Sequence, residues 1–421
     1  MKRVFIAILC CLALSAVSLS EAVSGEVKFP TPSYEGQELE KVRQWEKTWA
    51  GKKITTENVD QVKDFLHEGI YKAMKEPETF GVKSLWFNVV PYRPYNLSKG
   101  MIEATRKYAP ASKIIDEDSL AGYGEVAGIP FPQPKTGIEM AWNFDGNTKG
   151  DSHREDSYGF VANCRTGQER SAGMVRWELY WAGRVDMEPK PKIPDKQNPR
   201  GIAQSFFQRH TAPADFVDTA FLELKWQDPK REEAVWVYTV MFRRIRRYST
   251  SQRTDSIDGT DMVYDDIDGW YTHVTRNTYA YKDRADLLVA RHQDAGKLER
   301  VKGQAFWDGV QRERANHWVV EVKNKQKGYL YSKQIWYLDP ETWQMNFKTM
   351  YNRKGEFWKM QELFYDEHPT AVGEKASVFT SDHIFDFIRH HGTTQVRKTS
   401  NVGKEIPLDL FQTKSLKQKS Y

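Results

Sequence analysis

The chain has 421 residues, of which 62 are Lys or Arg and 57 Asp or Glu, giving a formal charge of +5. With 28% of residues charged in both signs, the pattern is that of a solvated exterior and excludes a protein built on a basic field for nucleic acid. Its 14 Trp, 20 Tyr and 21 Phe suit strands that pack on a face or line a cavity, and a chain of about 400 residues buries a large core without disulfides.

Lys2 and Arg3 precede an apolar run from Val4 to Leu14 that weakens towards Leu19, and small residues follow at Ser18, Ser20, Ala22 and Ser24. That order predicts a secretory signal over residues 1–24, cut after Ser20 or Ser24, and export to the periplasm. The run falls short of the roughly 20 apolar residues of a membrane span. Cys10 follows Leu9 and Cys11 follows Cys10, so neither has the small preceding residue of a lipoprotein cut site, and no lipid anchor is expected. Cys164 is then alone in the mature chain, which rules out an internal disulfide and points to a structural thiol.

Residues 25–421 read as one domain that opens with a helical and turn-rich segment, about 25–145. Leu39, Val42, Trp45 and Trp49 predict an amphipathic helix over Gln37 to Ala50. A second is expected over Asn58 to Lys75 from Val59, Val62, Phe65, Leu66, Ile70 and Met74, and Ser98 can cap a third running to Tyr108. Gly122, Gly124, Gly128 and the prolines up to Pro134 predict an ordered turn region between Ser119 and Asn143 without long regular elements. From Met174 the period becomes two, with Val175, Trp177, Leu179 and Trp181 alternating with Arg176, Glu178 and Tyr180. Similar runs occupy Phe221–Trp226, Val235–Phe242, Leu287–Arg291, Trp318–Val322, Tyr329–Leu338, Met345–Tyr351 and Phe357–Phe364. The turns Asp339-Pro340-Glu341-Thr342 and Asn352-Arg353-Lys354-Gly355 make the last four a meander. Ser381 to His391 is expected to form a helix with Ile384, Phe385, Phe387 and Ile388 inward, and Lys414 to Tyr421 a frayed basic tail.

The fold class that follows is α+β: a large antiparallel sheet, long enough to curl, covered by helices that enclose either a filled core or a cavity, and carrying a helical N-terminal extension. The helices at Val59–Met74 and Ile384–Ile388 are the expected cover of an apolar, partly open space. Trp177, Trp181 and Trp318 are the candidate pocket lining, although a shift of one position in register turns each outward.

The densest charge cluster is Arg243, Arg244, Arg246 and Arg247, followed by Asp255, Asp258, Asp261, Asp265, Asp266 and Asp268. One reading pairs the arginines with these carboxylates to pin a long loop; the other makes the arginines an anion or lipid-headgroup rim. A calcium loop fails the spacing, because Asp266, Asp268 and Gly269 would put Tyr264 at the first ligand position. His383, Asp386, His390 and His391 are read as a solvated helix face rather than a metal site, since His383 and His390 are two turns apart. Hydrolase, phosphate-loop and dinucleotide motifs do not occur, and no catalytic residue, metal or cofactor is assigned. A carboxylate pair such as Glu178 and Asp186 is too common to identify a glycosidase.

Gly122-Tyr123-Gly124, Ala127-Gly128-Ile129-Pro130-Phe131-Pro132, Gly137 and Ala141-Trp142-Asn143 resemble the signature of the bacterial domain-of-unknown-function family thirteen twenty-nine. Arg243-Arg244-Ile245-Arg246, Gly259-Thr260-Asp261 and Asp265-Asp266 extend the resemblance, which also reaches the broader outer-membrane lipoprotein-sorting-like group (LolA- and LolB-like proteins). The resemblance implies a LolA-like half-barrel with an apolar pocket in the Gram-negative periplasm. It further implies a non-enzymatic carrier or binding protein for a lipid or other hydrophobic small molecule, with outer-membrane β-barrels and export pumps as partners. A structural accessory of such a complex is the alternative reading, and a hydrolase of envelope glycans or lipids the third. No catalytic residues come with the resemblance, and the chain is much longer than a LolA-type carrier.

Overall fold

Alternating and β-branched runs outnumber helical ones along the chain, and they assemble into one open sheet of fifteen strands. The computed structural model describes residues 29–146 and 148–418; the expected signal segment lies outside the described residues. The strands are β1 (Lys53–Ile54), β2 (Phe87–Val90), β3 (Ser152–Asn163), β4 (Gln168–Tyr180), β5 (Ile202–Ala212), β6 (Ala220–Trp226), β7 (Ala234–Thr239) and β8 (Arg244–Tyr248). They continue as β9 (Asn277–Val289), β10 (Val310–Asn324), β11 (Lys333–Leu338), β12 (Met345–Tyr351), β13 (Phe357–Pro369), β14 (Lys375–Asp386) and β15 (His391–Ser400). Their order is β1-β2-β10-β11-β12-β13-β14-β15-β3-β4-β5-β6-β7-β8, with β9 paired to β10. All pairings are antiparallel except β2 with β10. The expected meander is present as β10 to β13.

Helix α1 (Gly36–Trp49) forms as expected and stacks Trp45 on Trp49, with ring centroids 6.1 Å apart. The helix expected over Asn58 to Lys75 is broken into a 3-10 segment, Val59–Phe65, and α2 (Glu68–Lys75). The break falls at His67, whose Nδ1 accepts the Gly69 N–H at 3.1 Å while its Nε2 lies 2.8 Å from the Thr349 hydroxyl. A single turn, α3 (Pro77–Phe80), follows. Helix α4 (Lys99–Tyr108) is capped by Ser98, which accepts the Met101 N–H at 3.1 Å. The turn-rich region holds one more helix, α5 (Gly137–Phe144), started by a Thr136 and Glu139 capping box.

Residues opposite each other in antiparallel register share a face, so the pairings sort the sheet into two faces. Phe347, Met360, Phe364 and Phe385 lie on one, packed against Ile70 and Met74 of α2 and Phe80 of α3. Trp336, Leu363 and Ile384 lie on the other, packed against Met101 of α4, Met140 of α5 and Met262, Val263 and Trp270 of the loop between β8 and β9. The cover of this second face is therefore α4, α5 and that loop. The segment Val59–Met74 covers the opposite face, and Ile384–Ile388 is no helix at all.

The Ser381–His391 helix is corrected to the end of β14, a turn and the start of β15. Both faces of β14 are buried, so Ile384 and Phe385 are apolar on opposite sides and the period-two pattern disappears into a continuous run. The expected frayed tail is corrected at its start: Leu416 is fully buried beside Phe411 against Leu179, Phe207, Leu222 and Leu224, so the chain docks on the sheet as far as Leu416, while residues 419–421 lie outside the described residues.

Candidate functional site

The loop between β8 and β9 lies across the sheet because its aspartates find cations and hydroxyls there. Asp265 meets Arg253 at 2.9 Å and the Tyr329 hydroxyl at 2.6 Å. Asp266 meets Lys348 at 2.6 Å and the Tyr331 hydroxyl at 2.7 Å. Asp261 receives the Thr393 hydroxyl at 3.0 Å and faces His391 Nδ1 at 2.9 Å. The loop is thus pinned as the first reading expects, but by other partners: Arg243, Arg244, Arg246 and Arg247 make no ion pair with these aspartates among the described residues. The pairing expectation is corrected because β8 is an edge strand whose arginines point into solvent.

Where the turn Ile257–Met262 stands off the sheet, a pocket opens between it and strands β3 to β6 and β15, with a cavity volume of about 110 Å³. The turn closes on itself, with the Ile257 N–H donating to the Met262 carbonyl at 3.0 Å. Val161, Met174, Phe206 and Phe221 from the sheet and Ile257 and Met262 from the turn form the walls. At the mouth, Arg170 donates to the Asp258 carbonyl.

Glu155, Arg176 and Arg397 of the lining belong to a buried network of ion pairs that forms and backs the floor. Arg176 grips Asp268 with two nitrogens, at 2.9 and 3.2 Å, and reaches Glu155 at 3.0 Å. Arg397 meets Asp268 at 3.0 Å and Asp382 at 3.3 Å. Lys149 lies 3.3 Å from Asp268 and 3.8 Å from Glu178, and His153 Nε2 lies 3.4 Å from both Glu155 and Glu178. Burial opposes the His153 charge, yet the two carboxylates outweigh it and push its pKa up to about 9. Burial likewise opposes ionisation of Glu178, but Lys149 and His153 bring it down to about 2. Asp268 is held well below the usual carboxylate range against its burial, first by Arg176. Four carboxylates thus face three fixed cations and a charged histidine, which is how such a group stays buried.

None of the three tryptophans expected in the lining is there. Trp177 and Trp181 lie on the far face of the sheet, in the cluster that holds Phe411. Trp318 is on β10, stacked on Trp343 at 6.0 Å and under Arg284 at 4.1 Å. The pocket uses the other alternating set of β4, namely Met174 and Arg176. Sequence alternation separates the two sets, but the more aromatic set is not the one that faces the pocket; in a sheet covered on both sides, neither set is solvent-facing by default. Of the four arginines, Arg244 and Arg246 share the pocket's face, since Arg246 is opposite Val237 and Val237 opposite Phe221. Arg247 lies over Trp236 on the other face.

Other sequence candidates are dispersed. His383 is buried against Phe306 and Phe364, and burial takes its pKa down to about 3. His390 is in the β14–β15 turn and His391 pairs with Asp261. Among the described residues no group of His, Cys, Asp and Glu could hold a metal ion. Glu178 is in the buried charge network behind the pocket, whereas Asp186 is elsewhere, beside Ser98 and pushed up to about 6 by burial. Cys164 is buried, and burial pushes its thiol up to about 12, which suits a structural thiol.

The glycine-rich motif is a clamp between α4 and α5. Gly128 has φ +83°, and a Cβ there would come within 2.5 Å of the Thr105 nitrogen. The Ile129 N–H then donates to the Thr105 hydroxyl at 2.9 Å, and the Asn143 side chain spans the Phe131 backbone at 2.9 and 2.6 Å.

The fold and pocket define a class: an open, mostly antiparallel sheet with a loop laid over one face and an apolar pocket beneath it. The chain belongs to the family described as "Protein of unknown function (DUF1329)", whose pattern matches residues 53–417. It is 24% identical over 338 residues to an uncharacterized protein of Pseudomonas aeruginosa, covering 75% of this chain and 69% of that one. Among solved structures, a provisionally assigned outer-membrane lipoprotein-sorting domain from Vibrio parahaemolyticus is similar with a TM-score of 0.49 and 15% identity, over 67% of this chain and 98% of that one. A LolA superfamily protein from Nitrosomonas europaea is similar with a TM-score of 0.39 and 12% identity, over 67% and 100%. No helix among the described residues is long and apolar enough to cross a membrane.

Proposed function

We propose that this protein is a non-enzymatic binding protein that carries a lipid or another hydrophobic molecule in the pocket under the Ile257–Met262 turn. The observation that carries the reading is the pocket itself. Val161, Met174, Phe221 and Ile257 are only partly covered and border a cavity of about 110 Å³ that opens to solvent, although closing the gap would gain about 25 cal/mol for each Å² of apolar surface buried. Apolar space kept open in this way is what a ligand site requires. Because the floor charges are paired with one another, the apolar part of an amphipath enters and its polar end stays at the mouth near Arg170. The signal features of residues 1–24 support export, so the proposed setting is the periplasm and the proposed destinations are outer-membrane assemblies of the β-barrel and export-pump kind.

An environment-sensitive fluorescent fatty acid tests this directly. Saturable binding, displaced by envelope lipid extract and weakened about tenfold or more by Phe221→Asp, is the expected result. Absence of saturable binding overturns the carrier reading and leaves the structural accessory in its place.

A further inference from the structure

The hairpin of β7 and β8 breaks the usual chemistry of a solvent-facing turn. Its linking residues are Val240, Met241, Phe242 and Arg243, where Gly, Asn or Asp would be ordinary. Arg243 has φ +50°, the left-handed region that strains a side chain of this type, and its N–H closes the turn on the Thr239 carbonyl at 2.9 Å. Met241 is 82% exposed and Phe242 55%, the highest values for large apolar side chains among the described residues. Around them Arg243, Arg244, Arg246 and Arg247 are all exposed, and no acidic residue occurs between Ala234 and Tyr248. Two of these guanidinium groups rest on rings, Arg246 over Phe242 at 5.2 Å and Arg247 over Trp236 at 5.9 Å.

The tip stands at the end of the sheet that carries the pocket. Phe221 and His210, both lining the pocket, lie at the matching ends of β6 and β5, and the turn joining those strands exposes a further ring, Phe216, by 42%. Two strand spacings, about 10 Å, separate Phe221 from Arg246.

From this arrangement we infer that the β7–β8 hairpin docks the protein on an anionic lipid surface. Met241 and Phe242 enter the boundary between headgroups and chains, and the arginines bind the phosphate-bearing headgroups around them. A bilayer suits the tip better than a protein partner does. A stable protein interface buries about 1,000 Å² or more, which two side chains on one turn do not supply, whereas a bilayer needs only a short apolar insertion together with a basic patch. The inference goes beyond the carrier reading and does not depend on the pocket holding a ligand.

The experiment is sedimentation of the purified protein with vesicles of phosphatidylcholine alone and of equimolar phosphatidylcholine and phosphatidylglycerol. Binding to the anionic vesicles only, weakened by salt, is expected. Met241→Ser with Phe242→Ser should lower the partition coefficient about tenfold or more, and Arg244→Gln with Arg246→Gln about fivefold for each arginine. Lys327→Gln with Lys354→Gln, the same loss of charge at exposed sites elsewhere, should leave it unchanged, and all variants should keep the wild-type thermal midpoint. Equal binding by the tip variants and wild type, or no binding of wild type to anionic vesicles, would overturn the inference, the latter in favour of a protein partner. The fluorescent fatty acid separates the two proposals: tip variants should retain its affinity, and Phe221→Asp should lose it while still sedimenting with anionic vesicles.

Discussion

Asp268 is the residue at which loop, sheet and pocket floor meet. It neutralises Arg176 from β4 and Arg397 from β15 at once, so Asp268→Asn leaves two buried guanidinium groups short of charge. A loss of about 3–5 kcal/mol in urea unfolding is expected, whereas Arg244→Gln, at an exposed position, should not move the midpoint. The floor also makes stability depend on pH at both ends. His153 has a folded pKa raised from 6.5 to about 9, so its contribution is complete below about pH 6.5 and is lost as pH rises through about 9. Glu178 is lowered from 4.5 to about 2, so its contribution is complete above about pH 4.5 and is lost as pH falls towards about 2. His153→Gln should flatten the alkaline limb of a midpoint-against-pH curve and leave the acid limb in place; an unchanged alkaline limb would remove His153 from the account.

At the scale of elements, the loop between β8 and β9 is held by buried carboxylates rather than by secondary structure. Tyr331→Phe removes one hydrogen bond to Asp266, a type worth about 1.5–3 kcal/mol when one partner is charged. Faster proteolytic cleavage between about 249 and 263, with a smaller effect on global unfolding, is the expected result of that change. Elements with a helical period, a local cap or turn residues between short apolar runs were legible in the sequence: α1, α4 with its Ser98 cap, and the β10–β13 meander. Strand β14 was not, because burial on both sides removes the alternation on which strand reading depends. Helix α5 carried a readable signal in Thr136 and Glu139, overshadowed by the prolines before it. The pocket was legible only as two alternating sets on β4. Which set faces inward depends on the loop that covers it, and the partners of that loop, Arg176, Lys348 and Arg397, are distant in sequence.

For the whole molecule, the sheet is continuous only through β15, which lies between β14 and β3 and so joins the β9–β14 half to the β3–β8 half. Pocket and floor straddle this junction, with Thr393, Gln395 and Arg397 on one side and Glu155 and Met174 on the other. The chain end braces the opposite face of the second half, and Leu416→Ala should cost about 2–5 kcal/mol, measurable by thermal unfolding. The central claim is that the space above the floor takes up an apolar ligand. A photoactivatable diazirine fatty acid, bound to the protein, cross-linked and mapped by peptide mass spectrometry, tests it most directly. Labels should concentrate on Met174, Phe206, Phe221 and Met262; labels confined to the opposite face around Trp177 and Phe207, or scattered over the surface without saturation, would contradict it.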